Sequence, residues 1–145
     1  MRKLNKAGYK ALHAREGLKL KPYLDTKGVP TIALGNTYYL DGRRVTMHDK
    51  PLTESEAQAL GKTTVDRFAS QVDKVVKTNI NQNQFNALVS IAYNIGINGF
   101  KKSTFLSRVN KNPNDHNIAS AIMMWVKDIE LVGRRCSEVE QYFKR

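Results

Sequence analysis

The chain of 145 residues has a single cysteine, Cys136, so it can form no internal disulfide. No histidine lies near Cys136 in sequence, and it reads as a small, unreactive helix residue. The three histidines, His13, His48 and His116, are far apart. None has a neighbour at metal-ligand spacing, so neither a metal site nor a cofactor is expected. Long apolar runs are also missing. The longest, around residues 118–126, is too short and too interrupted to span a bilayer. The opening M-R-K-L-N-K-A-G-Y-K carries the positive charge of a secretory signal but no apolar segment after it. The expectation is a protein made and held in the cytoplasm until another protein opens the membrane. Acid is the scarcer charge, 13 Asp and Glu against 24 Lys and Arg, for a formal net charge of +11. Such a surface attracts polyanions, among them nucleic acid, lipopolysaccharide, teichoic acid and peptidoglycan, and charge alone does not choose between them.

The residues that are present describe one globular domain, residues 1–145, with 41% hydrophobic content and no repeat, linker or low-complexity tract. A first helix is predicted over residues 6–16, with Tyr9, Leu12, Lys10 and Ala11 turned inward and Gly17 as its terminator. Residues 17–52 change character. Pro22, Gly28, Pro30, Gly35 and Gly42 break any helix, residues 30–34 and 37–40 read as short strands, and Asp41-Gly42 signals a hairpin turn. Thr53-Glu54-Ser55-Glu56 is a capping box that opens a second helix over residues 53–76. Its apolar stripe is Ala57, Leu60, Thr64, Phe68, Val72 and Val75. The remainder, residues 77–145, reads as helices. One is capped by Asn81 with Phe85, Leu88, Ile91 or Ala92, and Ile95 on its inner face, and a turn follows over residues 96–100. A short helix over 103–109 comes next, then one led by Pro113 with Ile118, Ala121, Ile122 and Trp125 inward, and a last over 133–143. Met123 and Met124 read as filler in the core or cleft.

The segment of residues 16–37, E-G-L-K-L-K-P-Y-L-D-T-K-G-V-P-T-I-A-L-G-N-T, carries the chemistry. It places Glu16 at a helix end, Asp25 in the turn-rich β segment and Thr31 six residues further on. Cleavage of a glycosidic bond needs one protonated carboxyl to donate to the leaving oxygen and one ionised carboxylate on the other side of the sugar. A packed helix end favours the first role for Glu16, and a wet hairpin the second for Asp25. Thr31 supplies an uncharged hydroxyl that holds a water against Asp25. Taken singly, each acid is ordinary: Glu16 a solvated helix end, Asp25 a turn former.

The pattern E-G-x-x-L-x-x-Y-x-D-x-x-G-V-x-T-I resembles the signature of the phage-type lysozymes, the endolysin muramidases of glycoside hydrolase family 24. The likeness continues through Q-N-Q-F-N-A-L-V-S-I-A-Y-N-I-G at residues 82–96 and S-T-F-L-S-R-V-N at 103–110. It ends with Trp125 followed by R-R-x-x-E at Arg134, Arg135 and Glu138. The resemblance implies an α+β, lysozyme-like fold, with a small β-hairpin lobe and a larger helical lobe joined by the long helix of residues 53–76. The glycan would lie in the cleft between the lobes. It implies hydrolysis of the β-1,4 bond between N-acetylmuramic acid and N-acetylglucosamine with inversion. Glu16 is then the general acid, and Asp25 with Thr31 positions the attacking water. It also implies an arginine beside the acid or in the cleft, Arg134 first and Arg135 second. Further implications are peptidoglycan strands as partner, release through a holin-type lesion into the periplasm and cell wall, a monomeric state and no specific nucleic-acid partner.

Three departures stand out. Many family members read T-I-G-x-G-H-T where this chain reads T-I-A-L-G-N-T, so Ala33 takes a glycine position and Asn36 a histidine position. The stretch between Trp125 and Arg134 is short and lacks the usual glycine pair. If the glycine served a positive φ, Ala33 is strained; Asn36 keeps hydrogen bonding but no charge. These departures motivate an alternative, a basic wall-binding module that has lost activity. A virion-carried lysozyme is a further alternative, disfavoured by the lack of a tail-binding domain. Trp125, at helical spacing with Ile118, Ala121 and Ile122, reads as core rather than as a sugar-stacking platform.

Overall fold

The computed structural model describes residues 1–145. Its elements run α1 (Lys6–Glu16), β1 (Lys19–Leu24), β2 (Pro30–Ala33), α2 (Glu54–Val75), α3 (Gln82–Ile95), α4 (Ile97–Lys102), α5 (Thr104–Lys111), α6 (Asn117–Ile122) and α7 (Glu130–Phe143). This is the expected α+β, lysozyme-like plan, one two-stranded antiparallel sheet in an otherwise helical chain. The chain divides into two compact units, residues 10–67 and residues 1–9 with 68–145, and the divisions fall inside α1 and α2.

In the unit of residues 10–67, Gly17 ends α1 at a φ of +73° and returns its N–H to the His13 carbonyl at 2.9 Å. Leu12 is the buried residue of this stretch of α1, while Lys10, expected to face inward, is exposed because its charge stays in water. β1 and β2 pair with Tyr23 opposite Thr31 and Leu24 opposite Pro30, and the register shifts between Lys19 and Tyr23. Pro22 sits inside that irregularity, where its missing N–H breaks no ladder bond. β1 was not anticipated, because Pro22 and the alternating lysines hid it. Conversely, residues 37–40 form no strand: a lone bridge joins Tyr38 to Arg44 around the Asp41-Gly42 turn. That turn forms as predicted, with Gly42 at φ +87° and its N–H on the Tyr39 carbonyl at 3.0 Å.

Thr53 and Glu56 make the expected reciprocal cap of α2, Thr53 N–H to Glu56 Oε1 at 2.9 Å and Glu56 N–H to Thr53 Oγ1 at 3.1 Å. Ala57 and Leu60 then bury against Ile32, Ala33 and Val45, with Leu18, Tyr39 and Leu52 packed around them. Gly61 is a close approach, since a Cβ there would lie 2.9 Å from Leu34 Cδ1.

The other unit is built on α3, which is buried all along Gln84 to Ala92 and packs chiefly against α7. Asn81 and Gln84 form its capping box. Gly96, at φ +89°, breaks the chain for one residue only; α4 follows where only a turn was expected. Ser103 caps α5 through the Leu106 N–H at 3.1 Å. Phe100, Phe105 and Trp125 stack edge to face, with centroids 5.4 and 6.5 Å apart, so Trp125 is a half-buried core ring as expected. Met124 is not filler: it is 69% exposed. Arg2 closes the end of α2, donating to Asp73 at 3.0 Å, Thr78 O at 2.6 Å and Val76 O at 3.4 Å. The orphan carbonyls of a helix terminus thereby gain a cation. Gly8 is tight against Asn86, with 2.6 Å from a hypothetical Cβ to the amide. No helix is long and apolar enough to cross a membrane.

Candidate active site

Glu16, Asp25 and Thr31 all belong to the unit of residues 10–67. Glu16 is the last residue of α1 and is half-buried, held at the point where Gly17 turns the chain away. Asp25 follows β1 and organises the turn into β2. Its Oδ1 accepts the N–H of Lys27 at 2.8 Å and of Val29 at 2.9 Å, while its own N–H reaches the Val29 carbonyl at 3.0 Å. Thr31, 2% exposed, donates its hydroxyl proton to that same Val29 carbonyl at 2.8 Å. One residue, Val29, therefore fixes both side chains through its peptide groups. The hydroxyl of Thr31, its proton spent on Val29, offers lone pairs. The carboxylate of Asp25, with Oδ1 taken by two amides, offers Oδ2. Two acceptors held on a rigid turn suit the two protons of one water. No sequence signal identified Val29, because its contribution is main-chain.

Tyr23 stands opposite Thr31 and two residues before Asp25. Burial raises the pKa of its phenol, and the negative charges of Asp25 and then Glu16 push it the same way. The phenol thus lies in the field of both acids and stays protonated.

Both departures beside Thr31 have a physical account. Ala33 has φ +58°, the one non-glycine residue with a positive φ, so the glycine expectation is met and an L side chain bears the strain. Asn36 is buried and ties the turn together, accepting the Leu34 N–H at 3.2 Å and donating to Leu60 O at 3.2 Å and Thr63 Oγ1 at 3.4 Å. It does structural work with no charge. His13, one turn before Glu16, has a buried Nε2 without a partner, and burial lowers its pKa, which keeps the ring neutral.

Arg134 and Arg135 lie in the other unit, on α7. Both meet Glu138, which is fully buried: Arg135 Nη1 reaches Oε1 at 2.6 Å and Arg134 Nε reaches Oε2 at 3.3 Å. Ser90 Oγ donates to Oε2 at 2.5 Å, Arg134 Nη2 to Ser90 O at 3.1 Å, Arg135 Nε to Trp125 O at 2.9 Å and Arg135 Nη2 to Asn94. Arg135, 0% exposed, is a core residue. The spacing R-R-x-x-E places both arginines one helical turn from Glu138, a signal for this cluster that the sequence contained.

A concavity of about 920 Å³ lies within residues 39–60 and includes Tyr39, Arg43, His48 and Glu56 but none of Glu16, Asp25 or Thr31. A second, about 440 Å³, lies between Asn81, His116 and Tyr142. No three His, Cys, Asp or Glu side chains come together as a metal-binding group.

A helix ending in one acid, followed by a hairpin that presents a second acid and a hydroxyl, is the arrangement expected of a glycoside hydrolase of the lysozyme class. The sequence model of the Phage lysozyme family matches residues 13–138, and the chain belongs to that family. The endolysin of Salmonella phage P22 is 34% identical over 140 residues, covering 93% of this chain and 94% of that one. The solved endolysin of Escherichia coli O157:H7 phage FAHEc1 superposes with a TM-score of 0.86 at 35% identity, covering 99% and 94% of the two chains. The muramidase domain of SpmX from Asticaccaulis excentricus does so with a TM-score of 0.82 at 28% identity and full coverage of both.

Proposed function

We propose that this lysozyme is an endolysin muramidase, hydrolysing the β-1,4 bond between N-acetylmuramic acid and N-acetylglucosamine in host peptidoglycan. Glu16 protonates the leaving glycosidic oxygen. Asp25 takes the proton of a water held between its Oδ2 and the Thr31 hydroxyl, and that water attacks the anomeric carbon from the opposite face, inverting it. The observation that carries this reading is the double anchoring of Asp25 and Thr31 on Val29. An acid and a hydroxyl locked in relation to one another place a nucleophilic water at little entropic cost. The likeness to a protein described as a muramidase domain supports the choice of bond. The enzyme acts as a monomer, accumulates in the host cytoplasm and reaches the wall once a holin-type lesion forms.

The test uses purified peptidoglycan. The parent releases new reducing ends, and Glu16→Gln lowers the turnover by about 10²–10⁴-fold, the usual contribution of a general acid. Proton NMR of a defined glycan fragment in the first minutes shows the α-anomer as product. Equal turnover in parent and variant contradicts the assignment of Glu16, and an initial β-anomer contradicts inversion.

A further inference from the structure

The third side chain on the face of the hairpin that carries Asp25 and Thr31 is Tyr23. Directly paired residues of an antiparallel ladder project to the same side, with Cβ atoms about 4.5–5.5 Å apart, and Tyr23 is the partner of Thr31. Asp25 follows at the two-residue period that returns a strand to the same side. Leu20 and Leu24, at the alternate positions of the same strand, are exposed, and the charges of Asp25 and Glu16 both act on the Tyr23 phenol. Its ring is half-buried, with one part packed and one part open.

These facts restrict what the hydroxyl does. Asp25 Oδ1 is already supplied by Lys27 and Val29, and the Thr31 proton already goes to Val29. The side chains of the water-binding pair therefore present only acceptors. A sugar bound over them needs a donor for its ring-substituent oxygens, and neither Asp25 nor Thr31 has one to give. Tyr23 is the neutral donor on this face.

We propose that Tyr23 contacts the substrate, its phenol O–H donating a hydrogen bond to an oxygen of the sugar whose anomeric carbon the water attacks. The proposal rests on the muramidase reading. It adds a specificity residue to that site, selecting an oxygen acceptor on the sugar at the water side of the scissile bond. A site built to hydrogen-bond a sugar oxygen discriminates against an analogue that lacks it, because the donor is then left unpaired.

Tyr23→Phe removes the oxygen and keeps the ring. Parent, Tyr23→Phe and Glu16→Gln are compared for reducing-end release from peptidoglycan. In parallel, a soluble tetrasaccharide of alternating N-acetylmuramic acid and N-acetylglucosamine is titrated into Glu16→Gln and into Glu16→Gln with Tyr23→Phe. The expected result is a roughly tenfold fall in kcat/KM and a matching loss of tetrasaccharide affinity, at unchanged Tm. If the parent is active, Glu16→Gln is not, and Tyr23→Phe equals the parent in kcat/KM and in binding, the Tyr23 contact is overturned while the muramidase reading stands. If the parent itself releases no reducing ends, the muramidase reading fails. The binding comparison then still decides Tyr23, and equal affinities overturn it. A fall in activity that tracks a fall in Tm also overturns it, since the hydroxyl would then be structural.

Discussion

Ala33 shows how a single residue departs from the family pattern at small cost. A left-handed conformation penalises an L residue by about 1–2 kcal/mol. Replacing Ala33 by glycine removes that strain, but it also gives up a methyl buried in the cluster with Ile32 and Leu60, about 0.8 kcal/mol, and adds roughly 0.4–1 kcal/mol of unfolded-state entropy. The opposing effects are of equal size. Ala33→Gly is therefore expected to change stability by less than about 0.5 kcal/mol. Ala57→Gly in the same cluster, buried in a helix with no strain to relieve, costs about 1–2 kcal/mol. Urea titration of the two variants checks the contrast, and equal losses would refute the strain. Glu16, Asp25 and Thr31 were legible as candidates at this scale because the roles proposed for them are carried by side chains. Val29 was not, since a main-chain anchor leaves no mark in residue type.

At the scale of elements, the loop before α2 shows how short polar residues fix a segment that forms no strand. The Asp49 carboxylate accepts the Thr46 N–H at 2.8 Å, the Thr46 hydroxyl at 2.7 Å and the Tyr39 hydroxyl at 2.7 Å. These bonds, the Thr46 N–H foremost, lower its pKa to about 2. Because the folded value lies below the unfolded one, near 4, the unfolded chain binds more protons between them. The stabilisation is fully present above about pH 4 and is lost as pH falls towards 2. The drop in Tm from pH 4 to pH 2 should be smaller in Asp49→Asn than in the parent, and identical drops would rule the interaction out. Helices α1, α2, α3 and α5 were readable because caps and apolar periodicity are local. β1 was not, because its pairing depends on partners six to fourteen residues away and its sequence alternates Lys with Leu around a proline. The aromatic run of residues 37–40 misled for the opposite reason. It has strand-like residues, but Gly35 and Gly42 turn the chain on both sides and leave room for one bridge.

For the whole molecule the excess of positive charge has a direction along the chain. Between Asp73 and Asp115 there is no acid, while Lys74, Lys77, Lys101, Lys102, Arg108 and Lys111 fall within that span. A wall polymer bearing carboxylates and phosphates is attracted over a distance that salt shortens, from a Debye length of about 14 Å at 0.05 M to about 6 Å at 0.3 M. Solubilisation of intact sacculi should therefore slow several-fold as sodium chloride rises across that range. Turnover of a short glycan at saturating concentration should change less than about twofold. Turbidity and reducing-end assays run side by side separate the two, and parallel salt curves would refute electrostatic capture.

Two hydrogen bonds at the start of α3 carry a topological consequence. Gln82 Nε2 binds the carbonyl of Lys3 at 2.8 Å, and its neighbour Asn83 Nδ2 binds the carbonyl of Lys144 at 3.2 Å. The first and last turns of the chain thus meet at adjacent residues of one helix. A few linking residues would close the polypeptide into a ring without disturbing either bond. Opened instead at the exposed turn of Asp41-Gly42, such a ring would keep both bonds and every helix intact.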